Sequence, residues 1–192
     1  MPHARPETLD FLRTRRSRPA KTLVAPAPDR DALVPILEAG LRVPDHGKLE
    51  PWQLLVLEPS ALSRLADLAR EMGIERGLDP EKAEKAALMF SGAPLIVAVV
   101  SKPVPSEKIP EVEQILSAGA VCLSLVNAAL AAGWGANWLS GWTATDATFL
   151  SEGLGLSSSE QVAGYIVIGS ETSPPPERPR PDLTQKVAWI AN

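Results

Sequence analysis

Residues 93–101 read APLIVAVVS, nine positions without a charge, four of them β-branched. A run this short, bounded by Gly92 and a Pro-rich stretch, predicts a strand, and its lack of alternation predicts burial on both faces. Such a strand belongs at the centre of a sheet flanked by helices. The remaining segments have to supply those helices and the neighbouring strands.

They do so in order. Pro6–Thr14 places Leu9 and Leu12 on one helical face, with Phe11 beside it and Glu7 in the first turn. Asp29 or Asp31 can cap a helix holding Leu33, Ile36, Leu37 and Leu41, with Pro35 near its first turn, where a missing N–H matters little. Ser60 is placed to cap a helix with Leu62, Leu65, Leu68, Ala69 and Met72 inward, and Glu81–Phe90 forms another. Val112–Ala132 is a long helix, apolar almost all round, which suits the centre of the packing. Gln53–Glu58, Gly133–Ser140 and Ala163–Gly169 read as further strands. The expected fold class is therefore α+β, helices and strands alternating around one sheet in a single domain spanning 1–192. The tail SPPPERPRPD can join neither helix nor central strand and should run extended, partly as polyproline II.

Composition excludes several functions. Hydrophobic content of 45% with 22% charged residues is ordinary for a soluble globular chain, and a net charge of −4 gives no reason to expect nucleic-acid or membrane binding. Cys122 is the only cysteine, so there is no internal disulfide or Cys-rich zinc site, and its apolar surroundings read as core. The only histidines are His3 and His46, too few for a clustered metal site. Ala118–Leu139 is long and apolar, but Asn127, Asn137 and three glycines favour a core helix running into a strand over a membrane span. The first 17 residues hold no apolar signal core, so the expectation is a cytoplasmic protein.

Charge is unevenly placed. Nine of the nineteen Lys and Arg lie between Arg5 and Lys48, and none between Ile109 and Glu177. A smaller basic group, Arg178, Arg180 and Lys186, returns in the tail. This pattern suits a localised anion; a solvated basic helix end would produce it equally well. Residues 42–59, RVPDHGKLEPWQLLVLEP, set Arg42, His46 and Lys48 in a loop stiffened by Pro44, Pro51 and Pro59 at the mouth of a strand, a common place for ligand contacts. GWGANWLSG lacks the setting of a phosphate-binding glycine loop, and there is no Gly-x-Ser-x-Gly elbow. Any chemistry here therefore falls to a cofactor.

Four segments, RRS at Arg15–Ser17, RVPDHGKLEPW at Arg42–Trp52, WLSG at Trp138–Gly141 and the Pro/Arg tail, resemble in order and spacing the nitroreductase family of flavoproteins. The resemblance covers essentially the whole chain and is nearest to the short subfamily named for NAD(P)H nitroreductase activity. It implies the nitroreductase-like fold, a central mixed, mainly antiparallel sheet flanked by helices, and an FMN-dependent NAD(P)H oxidoreductase, a homodimer with FMN at the subunit interface. NADH or NADPH is the electron donor, and a nitro compound, quinone or similar small molecule is the acceptor in alternate turns. By the same resemblance Arg15, Arg16 and Ser17 match a first flavin-binding segment, Arg42 and His46 contacts from the opening loop, and Trp138, Leu139 and Ser140 a further flavin segment. The nicotinamide-nucleotide region falls on Ala128, Ala129, Leu130, Ala131, Ala132 and Gly133, and the tail, 173–192, is expected to pack on the partner subunit.

Physical chemistry is consistent with these roles. Arg can bind a phosphate dianion through two parallel charge-assisted bonds, with a Ser hydroxyl donating a third. The helix before Arg15 ends there, and its negative dipole end requires several cations if a phosphate is to be attracted. A cation at Arg42 would favour the negative charge of a reduced flavin, while His46 could serve the loop or the phosphate instead. Trp52, at the start of an apolar strand, reads as a core anchor. Two positions depart from the subfamily pattern: Glu50 stands where Gln is usual and should point away or pair with Lys48, and Leu139 stands where Arg is usual, leaving only its backbone to contribute. Other acceptors (an enone or flavin itself), a non-catalytic flavin-binding protein, and a flavin-free phosphate-binding module stay open on the sequence.

Overall fold

Ile96–Ser101 (β3) is the middle of the sheet, and all six of its residues are buried. The computed structural model describes residues 3–191; residues 1, 2 and 192 of the expected domain lie outside that range. Strand alternation divides β3 between two cores. Ile96, Ala98 and Val100 face one, which holds Leu65, Met72, Phe90 and Phe149. Val97 and Val99 face the other, which holds Leu33, Ile36, Val121 and Leu125. Those partners come from Pro59–Glu75 (α3), Pro80–Ser91 (α4) and Ala147–Leu154 (α6) on the first face, and from Arg30–Gly40 (α2) and Glu111–Ala131 (α5) on the second.

The other strands are Leu23–Val24 (β1), Trp52–Leu57 (β2), Gly135–Leu139 (β4) and Gln161–Glu171 (β5). β3 pairs with β2 and β5, and β5 pairs in turn with β1 and β4. Every strand pairing among the described residues is antiparallel, so the mainly antiparallel sheet implied by the resemblance contains no parallel pair. A register shift opposite Val99 and Val100 restarts the alternation of β5 near its beginning.

Local signals placed most helix ends correctly. Asp29 accepts from the Ala32 amide and caps α2, one of the two candidates for that position. Two details differ from expectation. Pro35 lies in the second turn of α2, where the surrounding burial of Leu33 and Ile36 outweighs one missing hydrogen bond. α3 begins at Pro59 rather than after Ser60, because proline at the first helical position is already pre-set for the helix. β1, α6 and the short helix Leu183–Lys186 (α7) were not legible as elements.

Two helices leave apolar faces outside. Pro6–Thr14 (α1) buries none of its residues, and Leu9 and Leu12, which share a face, are 59% and 51% exposed. α5 buries Val121, Cys122, Leu125 and Ala129 but exposes Val112, Ile115, Leu116 and Leu123. It is the one helix long and apolar enough to cross a membrane among the described residues, and its inner face is packed on the sheet. Cys122 lies on that inner face, and burial pushes its thiol up to about 12, which suits a core residue rather than a nucleophile. The SPPPERPRPD stretch joins neither helix nor strand, as expected, α7 follows it, and the tail after Glu171 is almost wholly exposed, Trp189 and Ile190 included.

Gly164 is where the sheet makes room for a side chain of the candidate site. A Cβ there would overlap the Trp138 indole and sit 3.0 Å from the Cys122 sulfur. Gly164→Ala should therefore destabilise the fold by about 1–3 kcal/mol, the usual range for overpacking. The loss should shrink when the same change is made in a Trp138→Ala background, a coupling that a double-mutant cycle by urea denaturation would measure.

Candidate functional site

Arg15 caps the C-terminal end of α1, and the chain then runs past Arg16, Ser17 and Arg18 towards the sheet. The Arg18 amide donates to the Ala136 carbonyl at 2.9 Å, which fixes this run beside β4. The tail returns to the same place: Arg16 donates to the Pro176 carbonyl at 2.6 Å and pairs with Glu177 at 3.1 Å, which Arg180 also meets at 3.2 Å. Arg18 pairs with Glu171 at 3.4 Å. The guanidinium groups of Arg15 and Arg178 have no ion-pair partner among the described residues.

The result is a surplus of positive charge. Burial, together with Arg180, Arg16, Arg178 and Arg18, holds the Arg15 pKa below the usual arginine value. Its Nε is buried with no hydrogen-bond partner, an expensive condition for a charged donor. Its Nη2 donates to the Ser17 hydroxyl oxygen at 3.0 Å, which leaves the hydroxyl proton free to donate elsewhere. This constellation fits a phosphate dianion. The tail's Arg178 and Arg180 belong to it, although their position in a Pro-rich stretch gave only a charge signal and no register.

A groove of about 700 Å³ opens farther along the same run, between Ala20, the α4 residues Ala86 and Met89, and the β4 end with Leu139, Ser140 and Trp142. Its walls are mainly apolar, as a planar aromatic ligand requires. The side chain of Leu139 packs against the core on the α3 and α4 side, consistent with a backbone-only role. Trp138 is 40% exposed, and its indole N–H donates to the Ala163 carbonyl at 3.1 Å. Of the neighbouring tryptophans, Trp134 packs on the α5-side core and Trp142 against Phe149, with Arg76 5.6 Å from the Trp142 ring.

The opening loop is built separately. The Asp45 carboxylate accepts from the Leu49 and Glu50 amides, and Lys48 and Glu50 both adopt left-handed backbone conformations, φ 55° and 47°. Such strain persists where surrounding structure imposes it, often at ligand sites. Asp45 is thus a positioning residue that lay within the quoted motif without being singled out; an Asp two to five residues before such a turn is its sequence signal. The His46 Nδ1 meets Glu113 in the first turn of α5 at 2.8 Å, leaving Nε2 for a ligand. Glu50 is exposed and makes no ion pair with Lys48 among the described residues. Trp52 donates to Ser117 on α5 at 3.1 Å, an anchor as expected.

One chain brings together Arg15, Arg16 and Ser17 and places Leu139 and Ser140 on the groove, but Trp138, whose indole lies against Gly164 on the α5 side, does not line it. The same chain does not bring Arg42 and His46 to them. His46 lies by the N-terminal end of α5 and Arg42 beside its middle, between the Ser117 bond to Pro44 and the Ser124 bond to Ala39, whereas Arg18 is held beside β4, past the C-terminal end. Glu113 and Ala131 are separated by roughly 27 Å at the 1.5 Å rise of an α-helix. Ala128–Gly133 form the C-terminal cap of α5, with Gly133 at φ 87°. This carbonyl end carries partial negative charge, and the segment itself has no cation to meet a dinucleotide phosphate.

A family model for the nitroreductase family matches residues 12–170. The chain belongs to that family. It is 39% identical over 166 residues to a Haemophilus influenzae protein named "Putative NAD(P)H nitroreductase", covering 85% of this chain and 88% of that one. Its fold is similar to that of a nitroreductase-like family protein from Bacillus cereus, with a TM-score of 0.78 at 23% identity and coverage of 95% of each chain. A nitroreductase from Bacteroides fragilis, solved with FMN bound, matches with a TM-score of 0.73 at 18% identity over 96% of this chain and 99% of that one. The α+β fold is therefore the nitroreductase-like fold.

Arg15→Ala should weaken FMN binding about ten- to a hundredfold, the loss of one or more charge-assisted bonds of roughly 1.5–3 kcal/mol. Riboflavin, which lacks the phosphate, should bind variant and parent nearly alike in a fluorescence titration. Equal weakening of both ligands would show that Arg15 supports the fold rather than the phosphate.

Proposed function

We propose that this nitroreductase-family chain is an FMN-dependent NAD(P)H oxidoreductase that reduces a nitro compound or quinone in ping-pong fashion. The observation that carries this reading is the convergence of arginines, with fewer carboxylates than cations, on a run that continues into the apolar groove at Ala20. FMN, when bound, supplies the two-electron chemistry that no side-chain constellation here provides.

The chain's own residues would hold it. Arg15, Arg16, Arg178 and Arg180 neutralise the phosphate, and the Ser17 hydroxyl donates to it. Ala86, Met89 and Leu139 form apolar walls that exclude water from the ring, and Ser140 borders its polar edge. Arg42, which has no ion pair among the described residues, contributes a cation that favours the reduced form.

Arg42 and His46 reach this groove only from a second copy. An isologous dimer that packs the exposed face of α5 antiparallel against its equal sets the N-terminal end of one helix beside the C-terminal end of the other. Two equivalent sites result, each completed by the partner's opening loop. The same pairing covers Ile115, Leu116 and Leu123, and offers a surface to Leu9, Leu12, Trp189 and Ile190.

The purified protein should be yellow, release free FMN on denaturation, and give parallel double-reciprocal lines with NAD(P)H and a nitroaromatic acceptor. A colourless protein that cannot be reconstituted with FMN would sink this function.

Leu116→Lys tests the shared site separately. Leu116 is 67% exposed in the single chain, so the variant should fold, while in the dimer each copy would bury an unpaired ammonium. Sedimentation should show a monomer, and flavin affinity should fall with it. A monomer that retains FMN as tightly as the parent would rule the shared site out.

A further inference from the structure

The groove has a rim that flavin binding does not account for. Lys21, from the 3-10 turn Ala20–Thr22, and Lys82 and Lys85, from α4, line it together. All three are exposed and none has an ion pair among the described residues. Lys82 and Lys85 stand three residues apart and so share a helical face. Glu84, between them in sequence, is taken by Arg70 through two bonds of 2.8 and 3.3 Å. No carboxylate lines the groove among the described residues.

A lone surface lysine signifies only a solvated face. Here acids outnumber bases overall, 23 to 19, yet three cations from two elements gather round one apolar groove without an acid. Trp142 lines the same groove with its apolar ring, and Ser140 and Thr143, which bear hydroxyls, line it beside the lysines. Donors surrounding apolar walls match a planar molecule that carries a negative charge.

We propose that this rim selects an anionic co-substrate, with Lys82 and Lys85 as the specificity-determining residues; the proposal rests on the flavin reading of the groove. The charge can reside on the acceptor, as a carboxylate or sulfonate, or on the donor dinucleotide as phosphate. Either is attracted by the lysines without touching the reacting atoms, and the effect weakens with salt.

The experiment compares the FMN-loaded protein with the Lys82→Gln/Lys85→Gln variant. One arm measures kcat/KM for naphthoquinone sulfonate against menadione at low and high salt; the other compares NADPH with NADH. Calorimetry of anthraquinone sulfonate against neutral anthraquinone methanol gives a readout independent of turnover. The variant should lose roughly two- to thirtyfold of the preference for the charged member, two exposed charge interactions' worth, and the preference in the parent should fall with salt. Loss confined to the first arm places the charge on the acceptor, and loss confined to the second places it on the donor; either supports the proposal. Equal responses of charged and neutral probes in both arms overturn it. Flavin content per chain is measured on both proteins. A variant that loses FMN while the parent keeps it makes these lysines cofactor ligands and overturns the proposal. A parent that binds no FMN overturns the flavin reading instead, and calorimetry on that flavin-free protein still decides whether the lysines select the sulfonate.

Discussion

Burial of β3 on both faces is the constraint on which the remaining structure depends. A strand with apolar residues on either side commits α2 and α5 to one face and α3, α4 and α6 to the other. Once α5 lies along the sheet, only half of its apolar circumference can face inward. The exposed half, with Leu116 and Leu123, follows from the same packing that makes the interior. The sheet also sets the site. β4 runs beside β5, so the run after Arg15 and the segment ending at Ser140 are brought to one edge although they lie far apart in sequence.

Much of this was legible because the signals were local. The apolar run at β3, the spacing of Leu62, Leu65, Ala69 and Met72 in α3, and the Asp29 cap each report on their own neighbourhood. β1 escaped notice because two residues show no period, and α6 because its eight residues fall in a stretch crowded with Gly, Ser and Thr. Leu9 and Leu12 showed a sound helical stripe, yet periodicity cannot tell which surface a stripe will meet. In this chain it meets none.

The candidate site divides in the same way. Arg15–Ser17 and the opening loop stood out as charge set in Pro-rich or helix-end surroundings. What the sequence did not disclose is assembly across distance: the tail with Arg178 and Arg180 folding back through Glu177 onto Arg16, and Glu113 holding His46. Each depends on a contact whose partners carry no mutual sequence signal. The separation of His46 from Arg15 along α5 is of the same kind. Residues that belong to one motif set need not belong to one site of one chain.

Five guanidinium groups held near one point resist one another, and Glu177 and Glu171 offset only part of that repulsion. A dianion bound there stabilises the folded state by mass action, in proportion to the logarithm of its concentration over its dissociation constant. Proteolysis in a cell acts largely on the opened state. The extended tail, tied to the body through Arg16, Glu177 and Arg180, is the segment nearest that repulsion and the one with the least packing to restrain it. If a phosphate ligand binds there, turnover of this chain follows the supply of that ligand, so that a cell starved of it would degrade the protein rather than accumulate an inactive form.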